Sequence, residues 1–271
     1  MILSDEIKRL ENYSGKNNMP ADFREYWEKM LCNTPDIEQL EREELGFENR
    51  EAIYEYLTCP AFDGGNLHLR VIRPAAEGKY PTILMFHDID CRIRGWHHMT
   101  RFAGLGFAVV ALENRISDCK KENRWSAKSL KMCIVDALWT ERLTEKFSWA
   151  DQSRMHTWGE GFGGALAMAA AAWLPQECKC AVRSPLPIDL QYETTEERES
   201  AAYVDILNFA ELMHGGFLLG TGMMEESSSV RGQFAAFSRV PCAKRHLKYP
   251  KYGHERINHF ENEVLNFFAL S

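Results

Sequence analysis

The sequence predicts an α/β protein: a mostly parallel sheet of about eight strands with helices on both faces. Short apolar runs such as Thr82–Phe86 and Phe107–Leu112 read as strands buried on both sides. They alternate along the chain with stretches of helical period, the pattern of a sheet wrapped by helices. No Pro/Gly/Ser-rich linker interrupts that alternation, so the 271 residues read as a single domain overall. Within it, residues 1–50 are expected to form a helical extension packed on a main domain of residues 51–271.

In chain order, residues 4–46 look helical. Phe23, Trp27, Met30 and Leu31 share one face of a segment that Pro20 introduces. The acidic run Glu38–Glu44 reads as a solvated helix face. Ala52–Thr58 and Leu67–Ile72 flank the turn Asp63-Gly64-Gly65-Asn66, which predicts an antiparallel hairpin. After it come the Thr82–Phe86 strand, a crossover helix over Trp96–Leu105 ended by Gly106, and the Phe107–Leu112 strand. A helix over roughly Ser126–Thr144 leads to the strand Met155–Trp158. Cys180–Arg183, Gly216–Gly220 and Arg245–Tyr249 are the later strands. Helices near 192–213 and 229–238 separate them, and an amphipathic helix over Arg256–Leu270 closes the chain.

Composition narrows the function classes. A hydrophobic content of 45% with 26% charged residues suits a soluble globular protein. The net charge of −7 argues against nucleic acid or an anionic membrane as partner. No apolar run approaches the roughly 18 residues of a membrane span, and the first residues lack the pattern of a signal peptide. Eight scattered cysteines without a C-x-x-C pair are read as free thiols of a cytoplasmic protein, with no metal site and no cofactor. His97-His98 lack further ligands nearby in sequence.

The most informative stretch is Trp158-Gly-Glu-Gly-Phe-Gly-Gly164, a glycine-dense turn between a strand and an Ala-rich helix. Such a turn aims backbone N–H groups at one point. Two motifs fit. Gly159, Gly161 and Gly164 match the dinucleotide fingerprint G-x-G-x-x-G, which also needs a carboxylate at the tip of the next strand. That strand ends Cys180-Ala-Val-Arg-Ser184, without one. Gly159 and Gly163 match the nucleophile elbow G-x-S-x-G, with Gly161 in the serine's place. An elbow calls for an acid and then a histidine after later strands. Glu225 lies just past the Gly216–Gly220 strand, and His254 just past the last one.

The chain is also similar to the acetyl xylan esterase and cephalosporin C deacetylase family of α/β-hydrolases, carbohydrate esterase family 7. Pro20-Ala-Asp-Phe-Arg-Glu-Tyr-Trp27 resembles its P-x-D-F-x-x-(F/Y)-W segment, and Asp151-Gln-Ser-Arg154-Met its D-x-x-R-I strand. Ser184-Pro185-Leu-Pro-Ile-Asp189 resembles P-x-L-x-D, Tyr203-Val-Asp205-Ile-Leu-Asn208-Phe-Ala210 resembles Y-x-D-x-x-N-x-A, and Phe234-Ala-Ala-Phe237 resembles F-A-A-Y. The resemblance runs from about residue 20 to 255. It implies an α/β-hydrolase fold and an acyl-transfer site, with Glu225 orienting His254 and Gly161 as the vacant nucleophile position. The implied oxyanion donors are the backbone N–H groups of Ile89 and Phe162, with His87 and Arg115 nearby. The family's H-G-Y is His87-Asp88-Ile89 here, and its R-G-Q is Arg115-Ile116-Ser117.

A triad without its nucleophile loses about 10⁶ in turnover. The expectation is therefore a homologue impaired in hydrolysis that binds a small acylated sugar or similar ligand. The alternative is an active ester hydrolase using an activated water or a displaced nucleophile. Ser117 and Ser227–Ser229 are the hydroxyls weighed for that role. Whether the family's homo-oligomeric assembly persists is left open by shortened segments near 115–136 and 189–203.

Overall fold

The computed structural model describes residues 2–32, 39–45, 50–89, 95–115, 126–175, 178–191 and 194–269. Its strands are β1 (Glu41–Glu44), β2 (Ala52–Pro60), β3 (Asn66–Pro74), β4 (Tyr80–Phe86), β5 (Ala108–Leu112), β6 (Ala150–Glu160), β7 (Lys179–Arg183), β8 (Gly216–Gly222) and β9 (Ala243–Tyr249). They form one sheet in the order β1-β2-β3-β5-β4-β6-β7-β8-β9. Pairing is antiparallel from β1 through β5 and parallel from β5 onward. The hairpin expected around Asp63–Asn66 is β2–β3, with Cys59 opposite Leu67.

Strand alternation sorts side chains to two cores. In β5, Ala108, Val110 and Leu112 join one core while Val109 and Ala111 join the other. On the first side lie α4 (Ala127–Glu145), α5 (Phe162–Ala171) and α8 (Val230–Arg239), which bury Leu138, Ala167 and Ala235. On the second lie α3 (His97–Ala103) and α9 (Asn258–Ala269), which bury Phe102, Phe260 and Phe268. A strand covered on both sides has no solvated face, which is why β4, β5 and β8 read as continuous apolar runs.

The N-terminal segment contributes α1 (Ile2–Glu11) and α2 (Phe23–Leu31). Phe23, Trp27 and Leu31 of α2 are buried. They meet α7 (Ile206–Ala210), with Phe23 edge-on to Phe209 at 4.9 Å and stacked on Tyr203 at 6.3 Å. Trp27 also donates its indole N–H to the carbonyl of Tyr203 at 3.0 Å. Burying a side chain of this size contributes about 1.5–3 kcal/mol, so three of them dock the helix firmly.

The same region explains the spaced polar motifs. Asp205, fully buried, caps α7 through Leu207 N–H at 3.0 Å. It also accepts from Leu190 N–H at 2.8 Å, Asp189 N–H at 3.2 Å and the Asn17 amide. One carboxylate thus satisfies donors from three distant segments. Three further helices carry side-chain caps at their N-termini, α4 through Ser126, which accepts the Ser129 N–H at 3.1 Å. Thr194 and Glu197 form a capping box on α6 (Thr195–Ala202), and Ser229 caps α8.

Two expectations are corrected here. Residues 4–46 are not helical throughout, since residues 12–22 form the irregular connection between α1 and α2. The described part of the acidic run, Glu41–Glu44, is a strand rather than a helix face. It pairs antiparallel with Glu55–Thr58, and Arg42 reaches the buried Glu55 at 3.2 Å. All four side chains are exposed, and a short charged strand is a stable way to end a sheet because it discourages further pairing. Among the described residues the sheet therefore has nine strands, one more than the sequence suggested.

Candidate active site

The sequence-predicted turn joins β6 to α5. Gly161 sits at its apex with φ +53°, in the left-handed region that glycine enters at little cost. Close approach also fixes the composition: a Cβ on Gly163 would overlap the Phe86 carbonyl at the end of β4. Strands β4 and β6 are neighbours, with Phe86 opposite Gly159. From this pair the chain departs to β5 on one side and to β7 on the other, so their carboxyl ends border a topological switch point, where open α/β sheets hold ligands.

Gly161 has no side chain to cap α5, and the cap comes from another strand. The carboxylate of Asp88, two residues past β4, accepts the Phe162 N–H at 2.9 Å through Oδ1. The same Oδ1 accepts the Ile89 N–H at 2.8 Å. These are the two backbone donors that the sequence assigned to an oxyanion. A Cβ on Gly161 would overlap Cγ, Oδ1 and Oδ2 of Asp88, so the acid lies in the space a side chain at 161 would need.

Oδ2 of Asp88 faces His254, whose Nε2 lies 2.6 Å away. The other ring nitrogen, Nδ1, lies 2.7 Å from Oε2 of Glu225. Glu225 is in turn fixed through Oε1 by the N–H groups of Ser227 at 2.8 Å and Ser228 at 3.3 Å. Behind the histidine, the buried Arg183 at the end of β7 donates to the His254 carbonyl at 2.7 Å. Arg183 also pairs with Glu160 at 3.4 Å. The result is an ordered row, Glu225–His254–Asp88, with the last oxygen in a two-donor cradle at a helix N-terminus.

The electrostatics follow from that row. Hydrogen bonds to Asp88 first and Glu225 second raise His254 to about 9, against the opposing effect of burial. The ring is therefore an imidazolium near neutral pH and donates from both nitrogens. Burial alone would raise Asp88, but its bonds from His254, Phe162 and Ile89 together hold it below the usual carboxylate range. Glu225 is likewise lowered: burial opposes, and the His254 and Ser227 bonds prevail. A carboxylate at the start of α5 also gains from the helix dipole.

The structure thus brings together Gly161, Phe162, Ile89, Glu225 and His254 from the predicted set, and adds Asp88, which sequence reasoning recorded only as a departure from H-G-Y. His87 and Arg115 take other positions. His87 donates from Nδ1 to the Asp88 carbonyl at 2.7 Å and accepts the Asn114 N–H at 3.1 Å, so both nitrogens brace the loop. Arg115 lies between two acids, gripping Asp136 at 2.9 and 2.7 Å and Asp63 at 2.7 Å. Ser228 spends its hydroxyl on the Pro185 carbonyl. Trp158 is buried against Phe260 in the core. Ser117 lies outside the described residues.

Among the described residues no group of three or more His, Cys, Asp or Glu is placed to hold a metal ion. No helix among them is long and apolar enough to cross a membrane. Cys32, Cys59, Cys133, Cys178, Cys180 and Cys242 are free thiols.

Comparison with known proteins agrees with the fold and with the family that the sequence resembles. The family described as acetyl xylan esterase (AXE1) matches residues 1–133 and 188–271. Acetyl xylan esterase 1 from Thermoanaerobacterium sp. JW/SL YS485 is 23% identical, with a TM-score of 0.84 over 97% of this chain and 98% of that one. The acetyl xylan esterase from Paenibacillus sp. R4 is 16% identical, with the same score and coverage. A more distant likeness is to an acylaminoacyl peptidase of Pyrococcus horikoshii: 15% identity, TM-score 0.64, over 82% of this chain and 41% of that one.

Proposed function

The chain belongs to the acetyl xylan esterase family, and from that membership we propose that it is a member without serine-dependent deacetylase activity that binds a small acylated sugar or a related ligand. One observation carries the reading: the Asp88 carboxylate takes both cradle N–H groups and the Nε2 of His254, while Gly161 offers no attacking atom. An ester carbonyl needs those two donors as its oxygen becomes negative. Here it must first displace a charged group held by three hydrogen bonds. The imidazolium of His254 has no free lone pair with which to take a proton.

The same geometry weighs against the two other readings of the sequence. A water held between Gly161 and His254 needs the volume that Asp88 fills. A dinucleotide pyrophosphate needs the start of α5, where it would meet the carboxylate of Asp88 and be repelled. The sugar part of a ligand would instead donate hydroxyls to the acids of the row. Family membership suggests an acetylated xylo-oligosaccharide as the first compound to try.

The test is an aryl acetate assay with fluorophosphonate labelling, beside calorimetric titration of that oligosaccharide. The expected result is no labelling and turnover about 10⁶ below a serine-dependent relative. Robust turnover that vanishes in His254→Ala would overturn the loss of deacetylation.

A further inference from the structure

Two departures from the family pattern coincide in space. Where the family carries serine at the elbow and glycine in H-G-Y, this chain carries Gly161 and Asp88. The first leaves the room that the second occupies, since a Cβ at 161 would overlap the carboxylate. Simple decay of a serine would leave His254 without a partner at Nε2. Instead an oxygen with a lone pair stands 2.6 Å from it, and Glu225 still orients the ring.

We propose that Asp88 is itself a nucleophile, acting on saturated carbon whose leaving group departs as a stable anion, such as an alkyl halide or alkyl sulfonate, to release an alcohol. The inference rests on the reading that serine-dependent deacetylation is gone. The two carboxylate oxygens have different surroundings that suit this chemistry. Oδ1 is held by the Phe162 and Ile89 N–H groups. Among the described residues Oδ2 has one bond, to His254, and a carboxylate oxygen keeps a second lone pair for attack. The side chains of Asp88 and His254 are 12% and 29% exposed, so both retain surface open to solvent.

Substrate class follows from the cradle. Attack on an acyl ester creates an oxyanion on the substrate, and its donors are already taken. The product would also be an anhydride, uphill from an ester. Attack on saturated carbon creates no oxyanion in that step. Oδ2 forms the new C–O bond as the C–X bond breaks, and X⁻ leaves with its electron pair. The resulting Asp88 ester is neutral, so His254 loses an anionic partner and releases its proton to solvent. Neutral His254, oriented by Glu225, then removes a proton from water as the water oxygen bonds to Cγ. Charge develops on Oδ1, inside the cradle. Collapse expels the alkoxide, which takes the proton from His254. The carboxylic acid then returns its own proton to His254 and restores the resting pair. The sum is RX plus water giving ROH, X⁻ and H⁺.

The experiment uses the full chain with 1-bromobutane and, separately, methyl p-toluenesulfonate. In His254→Gln the ester should persist, and peptide mass spectrometry should find one alkyl group per chain on Asp88. Alkylated cysteines are scored apart, and Asp88→Asn should lose the Asp88 adduct alone. Should His254→Gln fold poorly, single turnover of the unmodified protein in heavy-oxygen water reads the same step: the label enters the Asp88 carboxylate before it enters the alcohol. No ester on Asp88 and no heavy oxygen in it, with either reagent, would overturn the proposal and leave Asp88 as an inert occupant of the cradle. Aryl acetate turnover, by contrast, bears only on the loss of deacetylation, so the two readings fail separately.

Discussion

Asp88 and Gly161 compete for one volume: a Cβ at 161 would overlap the carboxylate carbon and both its oxygens. Their identities are therefore coupled, although they follow different strands. Gly161→Ser should push Asp88 out of the cradle and impose a left-handed backbone on a residue with a side chain. Overpacking of this kind costs about 1–3 kcal/mol, read as a lower urea midpoint. Adding Asp88→Gly should recover most of that loss, since neighbouring substitutions are not additive. Only the double variant, with its donors freed and His254 beside a hydroxyl, should hydrolyse aryl acetate. Equal stability of the single and double variants would mean the two positions are independent.

The charge state of His254 gives a second test. Its folded pKa of about 9 lies above the ordinary value of 6.5. For a group raised in this direction, the stabilisation is fully present below about pH 6.5 and is lost as pH climbs through about 9. Asp88 and Glu225 are shifted the other way, so their share is lost as acid protonates them. Stability should be greatest between those limits. Imidazole resonances followed by NMR should show His254 titrating near 9, and Asp88→Asn should lower that value because Asp88 is the larger cause. Titration near 6.5 in the unmodified protein would contradict the observed row.

Arg183 holds the histidine from behind. It is 2% exposed, and its guanidinium joins the His254 carbonyl to Glu160. Arg183→Met removes a buried cation and leaves that carbonyl without this donor. Loss of one member of a buried pair costs about 3 kcal/mol. The thermal midpoint should fall accordingly, and the His254 NMR titration should shift as its loop relaxes. A stability loss without movement of that titration would assign Arg183 to packing alone.

Much of this was legible in the residues because periodicity reports burial. Strand β5 shows no polar–apolar alternation because both its faces are covered, and all five residues from Ala108 to Leu112 are buried. Glu225 and His254 were legible because each follows a strand in the order that the elbow demands. Strand β1 was not, since four exposed charged residues carry no alternation, and only the pairing with β2 makes them a strand. The role of Asp88 was hidden for another reason. Its partner Phe162 is 74 residues away, and the contact depends on β4 and β6 being adjacent, which no local pattern records. Arg115 shows the converse: a cation expected near the site is neutralised by Asp136 and Asp63, residues far from it in sequence.

Asp205 offers the clearest test of how the N-terminal segment is tied to the sheet. Its carboxylate is fully buried and accepts from the Asn17 amide and the N–H groups of Asp189, Leu190 and Leu207. Asp205→Ala removes the common acceptor, and each buried donor left unpaired costs about 1–3 kcal/mol, less than additively because the loops relax. A loss of about 3–5 kcal/mol is expected for breaking such a charged cluster. Asp205→Asn keeps one oxygen as an acceptor and turns the other group into a donor facing donors, so it should recover only part of that loss. Hydrogen exchange distinguishes this account from general loosening. The Leu190 and Leu207 amides should lose protection first, with α2 following through its contact with Phe209, while β4 and β6 amides keep theirs. Uniform loss across the sheet would show that Asp205 supports the whole fold rather than the docking of this segment.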